Sequence, residues 1–480
     1  MSTDVSARPE DVLRSAPPRG RRAAGTSGGW FRAFWRWHFY ASFLVIPLFL
    51  MLAVTGLIYL LRFQIEPLLH PDLMRVEQSA DSFLPLEEQV DAVAAAYPDA
   101  DPRFVTEAAA PDESSRVTIH IPGDGSRDVF VNPYTAEVLG AVRYRDLVST
   151  IAVRLHGDLM VGPWGDHLIE VASCWAIVMA LTGYFLFFKG MRARRRRQRA
   201  KARGASLRGW HAWVGAVAGV GILGLVVTGL PWTGFWGEKV QQLATDNGSS
   251  LWGEDPGALS KPATLLDESL PHSHDTEVPW GMGKSEVPKS EPGSEENTVS
   301  VANLDTAVVV AERAGLRSPM TVILPRGDKG VYSVMGYAFD DPTAERTVHV
   351  NRYSGEVVGD YGYEQYPVPA KIVAQGIGLH EGRSLGLLNF WVTLAFCVAV
   401  IALCITGPIM WWRRRPRGAR SIGAPVGRLS LKRSWPLALL LVVMSLLLPL
   451  FGVTLVAVLL LDQLLLRRVP LFREWFNVSA

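Results

Sequence analysis

Cysteine is nearly absent: three residues in 480, Cys174, Cys397 and Cys404, each inside a long apolar run. No disulfide framework can therefore hold the polar parts of the chain, and the thiols read as small apolar packing groups. CxxCH is missing, so no covalently attached haem is encoded. Walker, Rossmann, HExxH and GxSxG sequences are missing too, which removes the signatures of ATP binding, dinucleotide binding, zincin chemistry and serine hydrolysis. Charge is scarce: 20% of residues are Asp, Glu, Lys or Arg against 49% hydrophobic, and the formal net charge is +2. With 16 tryptophans, this composition excludes a disordered chain and describes a membrane protein with no nucleic-acid partner.

What is present is long hydrophobic runs. Residues 38–62, 168–188, 211–232, 389–412 and 436–466 reach or approach the roughly 20 residues that cross a bilayer as a helix. Charges are segregated around them. Segment 1–37 carries Arg19, Arg21, Arg22, Arg32 and Arg36; residues 189–210 hold ten Lys and Arg without an acid, and residues 413–435 hold eight. By the positive-inside rule these segments face the cytoplasm, and the acid-richer segments 63–167 and 233–388 face outward. The expected location is the cell membrane, N-terminus cytoplasmic. The first thirty residues are polar and arginine-rich, so the first span is expected to be an uncleaved anchor behind a disordered start. The fifth stretch is less regular: Arg467 and Arg468 follow it on what alternation makes the outer side, and Pro449 interrupts a run too short for two crossings. A single kinked helix before a tail at 467–480 is expected, in preference to a re-entrant hairpin.

Up to Trp412 the chain reads as one unit written twice. Trp37-His38 precedes Thr55-Gly56 as Trp210-His211 precedes Thr228-Gly229, with 17 residues from His to Thr in both. His156 precedes Thr182-Gly183 by 26 residues, as His380 precedes Thr406-Gly407. VNPYTAEVLG at Val131 to Gly140 corresponds to VNRYSGEVVG at Val350 to Gly359. The expected fold is a polytopic α-helical membrane protein of two parallel repeats, each a span, an extracytoplasmic α+β module and a second span, plus a fifth C-terminal hydrophobic span. Residues 248–297, rich in Gly, Pro, Ser and acid, read as a mobile insertion in the second module.

Histidine carries the chemistry. His38, His156, His211 and His380 occupy the matched positions of the two copies. At 1.5 Å per residue, His38 and Thr55 lie about 25 Å apart, nearly the apolar thickness of a bilayer. Parallel copies then bring His38 to His211 near the cytoplasmic side and His156 to His380 near the outer side. Facing neutral imidazoles in a helix bundle are good axial ligands for haem iron, and ionisable groups in spans mark functional sites. Two non-covalent b-type haems are the preferred reading; a non-haem metal, a proton relay and purely interfacial side chains stay open. Arg36, Arg154, Arg208 and Arg383 lie within three residues of these histidines, where guanidinium groups pair with haem propionates or anchor the membrane edge. The Thr-Gly pairs put small residues where a helix or a flat macrocycle approaches closely. His167, matched by Trp391, is a weaker alternative ligand; His272 and His274, beside Asp275, form a weaker metal or substrate contact. His70, His120 and His349 read as structural.

LHGDLMVG at Leu155 to Gly162 and LHEGRSLG at Leu379 to Gly386 repeat LH with a glycine six residues after the histidine. With TG in each span and YTAEVLG or YSGEVVG in the outer modules, they resemble the PepSY-associated transmembrane helix family from about Trp30 to Trp412. The resemblance implies PepSY-like outer modules. It also implies iron-regulated inner-membrane proteins, some of them haem-containing reductases that release iron from ferric siderophores at the outer face. Carried over by position, His38, His156, His211 and His380 match the family's paired histidines. The function so implied is a transmembrane electron carrier whose partners are the bilayer, a ferric siderophore or other Fe(III) chelate, and an unidentified electron donor. Two readings compete: membrane-anchored PepSY modules that bind a peptide, protease or envelope protein, and a transporter whose repeats rock about a central site.

Overall fold

The computed structural model describes residues 26–202, 204–230, 233–237, 264–265, 286–287, 289–290, 302–336, 341–366, 368–415, 424 and 434–477. His272, His274 and most of segment 248–297 lie outside the described residues, as do residues 1–25 and most of the basic segment 413–435.

In a bilayer every backbone polar group must be satisfied within its own segment, so the apolar runs become helices. α1 (Thr26–Leu60) leads by way of α2 (Leu86–Ala96) and α3 (Val148–Asp158) to α4 (Pro163–Arg199) and α5 (Ala205–Gly229). α6 (Leu304–Arg313) and α7 (Val368–Glu381) precede α8 (Leu387–Arg414). Five helices are long and apolar enough to cross a membrane: those within α1, α4, α5 and α8, and Pro449–Leu466. The chain is therefore a polytopic membrane protein. α1, α4, α5 and α8 share one core, with Val45 and Ala53 against Ala176, Ile222, Val226, Val400 and Cys404. Cys174, Cys397 and Cys404 are all buried and free.

The two outer segments, read from the sequence as separate α+β modules, share one sheet. The first supplies β1 (Asp101–Thr106), β2 (Ser115–Ile121), β3 (Gly125–Val131) and β4 (Val138–Arg143). The second supplies β5 (Met320–Ile323), β6 (Val331–Gly336), β7 (Arg346–Asn351) and β8 (Val357–Gly362). All eight form a sheet of order β8-β7-β6-β5-β1-β2-β3-β4. The join is antiparallel, Phe104 opposite Ile323 and Thr106 opposite Thr321, with the two threonine hydroxyls 3.0 Å apart. This join turns two exposed sheet edges into a paired interior. α2 and α6 cover one face, where Val93 and Ala307 meet Val105, Val117, Val322 and Val334. Their N-termini cap each other: Asp305 accepts from Leu86 N at 2.7 Å, and Glu87 accepts from Leu304 N at 2.9 Å. Each carboxylate thus meets an otherwise unbonded amide at the positive end of the neighbouring helix.

The C-terminal stretch corrects the expected single kinked helix. It breaks at Leu448 (φ −126°, ψ 81°) between α9 (Trp435–Leu447) and α10 (Pro449–Leu461). Proline at the first position of α10 has no amide hydrogen to continue α9. The indole of Trp236, just beyond the sheet-side end of α5, donates to Leu447 O at 2.9 Å, and that of Trp175 donates to Thr454 Oγ1 at 3.1 Å. α11 (Pro470–Trp475) then returns to the opposite, basic end of the bundle. There Arg36 donates to Phe476 O at 3.1 Å and Asn477 O at 3.2 Å, and Tyr40 donates to Phe476 O at 2.8 Å. The stretch thus turns at Leu448 and brings its C-terminal end beside Arg36. Arg467, an exception to charge segregation in a single crossing, follows the rule in a hairpin.

Candidate functional site

The site begins with two short helices that lie between the sheet and the spans. α3 carries His156 and α7 carries His380, each in its last turn. The glycine six residues later opens the next span from one backbone conformation: Gly162 (φ 67°, ψ −145°) before α4 and Gly386 (φ 56°, ψ −145°) before α8. That region is open to glycine almost alone, which accounts for the spacing from histidine to glycine in both phrases.

Each of the four matched histidines is held by a Thr-Gly pair of a neighbouring helix. His156 Nδ1 lies 2.9 Å from Thr55 Oγ1 on α1, and His380 Nδ1 lies 3.1 Å from Thr228 Oγ1 on α5. At the basic end, His38 Nδ1 lies 2.9 Å from Met179 O and 3.3 Å from Thr182 Oγ1 on α4. His211 Nδ1 lies 3.0 Å from Thr406 Oγ1 on α8. The glycine of each pair makes room for the ring. A Cβ placed on Gly183 would sit 3.2 Å from His38 Cε1, and one on Gly229 would sit 3.2 Å from His380 Cε1.

These contacts fix a tautomer. Met179 O is a carbonyl and can only accept, so His38 carries its proton on Nδ1. The threonine hydroxyls spend their single proton on the backbone one turn back: Thr55 on Met51 O at 2.9 Å, Thr182 on Val178 O at 2.7 Å, Thr228 on Gly224 O at 3.0 Å and Thr406 on Ala402 O at 2.7 Å. Each oxygen then accepts from the imidazole, and in all four rings Nε2 carries the lone pair. A nitrogen with a lone pair can bind a metal.

The structure brings His156 and His380 together, ring centroids 6.2 Å apart and planes at 90°. Two imidazoles on opposite sides of one metal have centroids about 6 Å apart, given a bond of about 2 Å on each side. No ring contact joins His38 to His211 among the described residues; they share the manner in which each is held. All four side chains are half-buried. Among the described residues no group of three or more His, Cys, Asp or Glu converges as round an ion bound by protein alone.

The four arginines differ. Arg36 donates to the carbonyls of Phe476 and Asn477, Arg154 is exposed, and Arg208 lines a cavity at the basic end. Arg383 meets Glu381 at 2.7 Å and Glu345 at 3.4 Å. The ring of His167 lies 3.5 Å from a Cβ placed on Gly234, beyond the end of α5. His349 is structural: buried in β7, its Nδ1 lies 2.8 Å from Ser333 Oγ.

Two acids escaped the sequence reading. Glu170 is fully buried in α4, facing Thr233 and Trp236; a lone acid in the run LIEVAS was its signal. Glu345 is 2% exposed, and Tyr366 Oη donates to it at 3.3 Å. Burial pushes its pKa up to about 7, against the pull of Arg383. No motif marked Glu345.

The sequence model of the PepSY-associated TM region matches residues 35–414. None of the curated proteins compared with the chain matches it.

Proposed function

The chain belongs to the PepSY-associated TM family, and from that premise we propose that it is a haem-binding electron carrier of the cell membrane that reduces ferric chelates on the sheet side. The observation that carries this reading is the shared setting of the four rings, each with Nδ1 against a threonine hydroxyl of a neighbouring helix. Four imidazoles at matched positions turn Nδ1–H to a neighbouring helix and keep the lone pair on Nε2. Metal-bound histidines are oriented in this way, the second ring nitrogen donating to a fixed acceptor.

The landmarks fit two copies of one unit related by an axis near the membrane normal. The sheet is symmetric about the β1–β5 join, and the caps of α2 and α6 are reciprocal. On this reading His156 with His380 would hold one b-type haem and His38 with His211 another, at levels about 25 Å apart along α1. Bound haem iron supplies one-electron redox chemistry. The chain's own part is to orient the four imidazoles through threonine, to enclose them in apolar helices, and to place one pair near each face. On this reading the basic end faces the cytoplasm and the sheet faces outward, which the positive-inside rule supports. Reduction of Fe(III) to Fe(II) takes one electron from a donor on the basic side and loosens the grip of hard oxygen chelators, which releases the metal.

The test is haem content in single variants. His156→Ala and His380→Ala should each lose one haem equivalent and with it the reduction of an external ferric chelate by proteoliposomes. Full haem content in both variants overturns the site assignment.

A further inference from the structure

Asn389 is a polar side chain that the apolar stretch LLNFWV does not call for. It stands in the first turn of α8, nine residues after His380, and is 7% exposed. Its Nδ2 donates to Leu379 O at 3.2 Å and to Thr393 Oγ1 at 3.0 Å. Leu379 directly precedes His380 in the last turn of α7, where carbonyls lack amide partners within the helix. Arg383 N and Ser384 N both donate to Gly378 O, at 2.8 and 3.2 Å, so they serve Gly378 rather than Leu379. Asn389 Oδ1 is buried and accepts from nothing among the described residues. The amide cannot turn over to use it, because oxygen would then face the carbonyl oxygen of Leu379. An unpaired buried oxygen is a standing cost. Burial alone therefore gives no reason for asparagine here, and the bond to Leu379 O does. In the first copy the matched position, nine residues after His156, is Gly165. A Cβ there would run into Asp158 O, so α4 begins with its backbone against the end of α3. One copy locks the junction by backbone contact and the other by a side chain.

We propose that Asn389 is a positioning residue for His380 that holds its imidazole plane perpendicular to that of His156, an inference that rests on the haem reading of this pair. The two planes stand at 90°. Thr228 fixes one point of the His380 ring, Nδ1, and a ring held at one point still swings about that bond. The backbone supplies the second point. By tying the carbonyl of Leu379 to α8, Asn389 keeps the turn that carries His380 from twisting against the span. Hydrogen bonds behind a ligand orient it and tune the metal it binds. The angle between axial imidazoles has a spectroscopic consequence. In low-spin ferric haem, perpendicular planes leave the two d orbitals that meet the imidazole π systems nearly equal in energy, which gives one broad, strongly shifted resonance. Parallel planes separate those orbitals and give three resolved lines.

The experiment is low-temperature electron paramagnetic resonance of the oxidised full-length chain loaded with haem, with haem counted in each sample. The wild type should show a broad, strongly shifted resonance that is missing from His156→Ala. Asn389→Leu keeps the volume and removes the donor; it should retain two haems per chain and lose that resonance to resolved lines. Thr393→Val removes the amide's other acceptor and should leave the resonance in place. Asn389→Gln displaces the amide by one methylene and should shift the resonance, which decides the matter where the leucine variant fails to fold. A wild type that binds no haem removes the haem reading and the proposal with it. Two haems without the broad resonance in the wild type overturn the perpendicular setting and leave the haem reading standing. An unchanged resonance in Asn389→Leu or Asn389→Gln makes Asn389 a helix cap alone and overturns its role. An equal loss in Thr393→Val does so too, since it assigns the effect to a general loosening of α8.

Discussion

Thr55→Val isolates the role assigned to the Thr-Gly pairs. Valine keeps the shape and burial of Thr55, which is 4% exposed, and removes only the hydroxyl that lies 2.9 Å from His156 Nδ1. Two costs are expected. An imidazole N–H left without its acceptor in a buried site costs about 1–3 kcal/mol. Loss of the fixed orientation lowers metal affinity about 10- to 100-fold, equivalent to about 1.4–2.7 kcal/mol at about 1.36 kcal/mol per decade. The two ranges coincide because one bond sets both. The assay is titration of haem into apoprotein, read from the visible spectrum, with Thr55→Ser as the control that restores the acceptor. Weakening in the valine variant, rescue in the serine variant and an unchanged site at His38 would support the reasoning. Equal affinity in wild type and Thr55→Val would refute it, since the threonine would then be a packing residue alone.

Gly229→Ala should crowd His380, because the new Cβ would lie 3.2 Å from Cε1. A cost of about 1–3 kcal/mol should appear as lower haem occupancy of the sheet-side site, measured by haem quantitation. Glu345 gives a pH dependence of known sign. Burial raises its folded pKa to about 7 from 4.5, so its stabilising contribution is fully present below the unfolded value and is lost as pH rises through the folded one. The loss is on the order of 3 kcal/mol; unfolding midpoints measured between about pH 5 and about pH 8 should fall in the wild type and flatten in Glu345→Gln. Single-cysteine labelling in intact vesicles tests the hairpin: a cysteine at Asn477 should react from the same side as one at Thr26, and one at Glu137 from the opposite side.

The four main spans were legible because hydrocarbon imposes length and apolarity, and arginine clusters mark their ends. The histidine and Thr-Gly spacings were legible as well, yet their meaning was not. The sequence shows His156 and Thr55 as landmarks of different spans, and only packing reveals that one accepts from the other. The joined sheet was hidden because β1 reads DPRFVT, short and half polar, and its partner MTVI lies more than two hundred residues later. Strand pairing at that separation leaves no local periodicity to read. The hairpin was missed because Pro449 suits a kink and a helix start equally, and the two indoles that hold the turn come from α4 and from the segment after α5. The pairing of Arg383 with Glu345 was not legible because Glu345 lies 38 positions earlier in the chain.

The central claim is that paired imidazoles in this bundle hold haem. The most direct measurement is the visible spectrum of the full-length chain purified in detergent, before and after dithionite, with haem extracted and counted per chain. The account predicts two non-covalent b-type haems per chain, both reducible, with one lost in His156→Ala. A colourless protein that takes up no haem on reconstitution would contradict it.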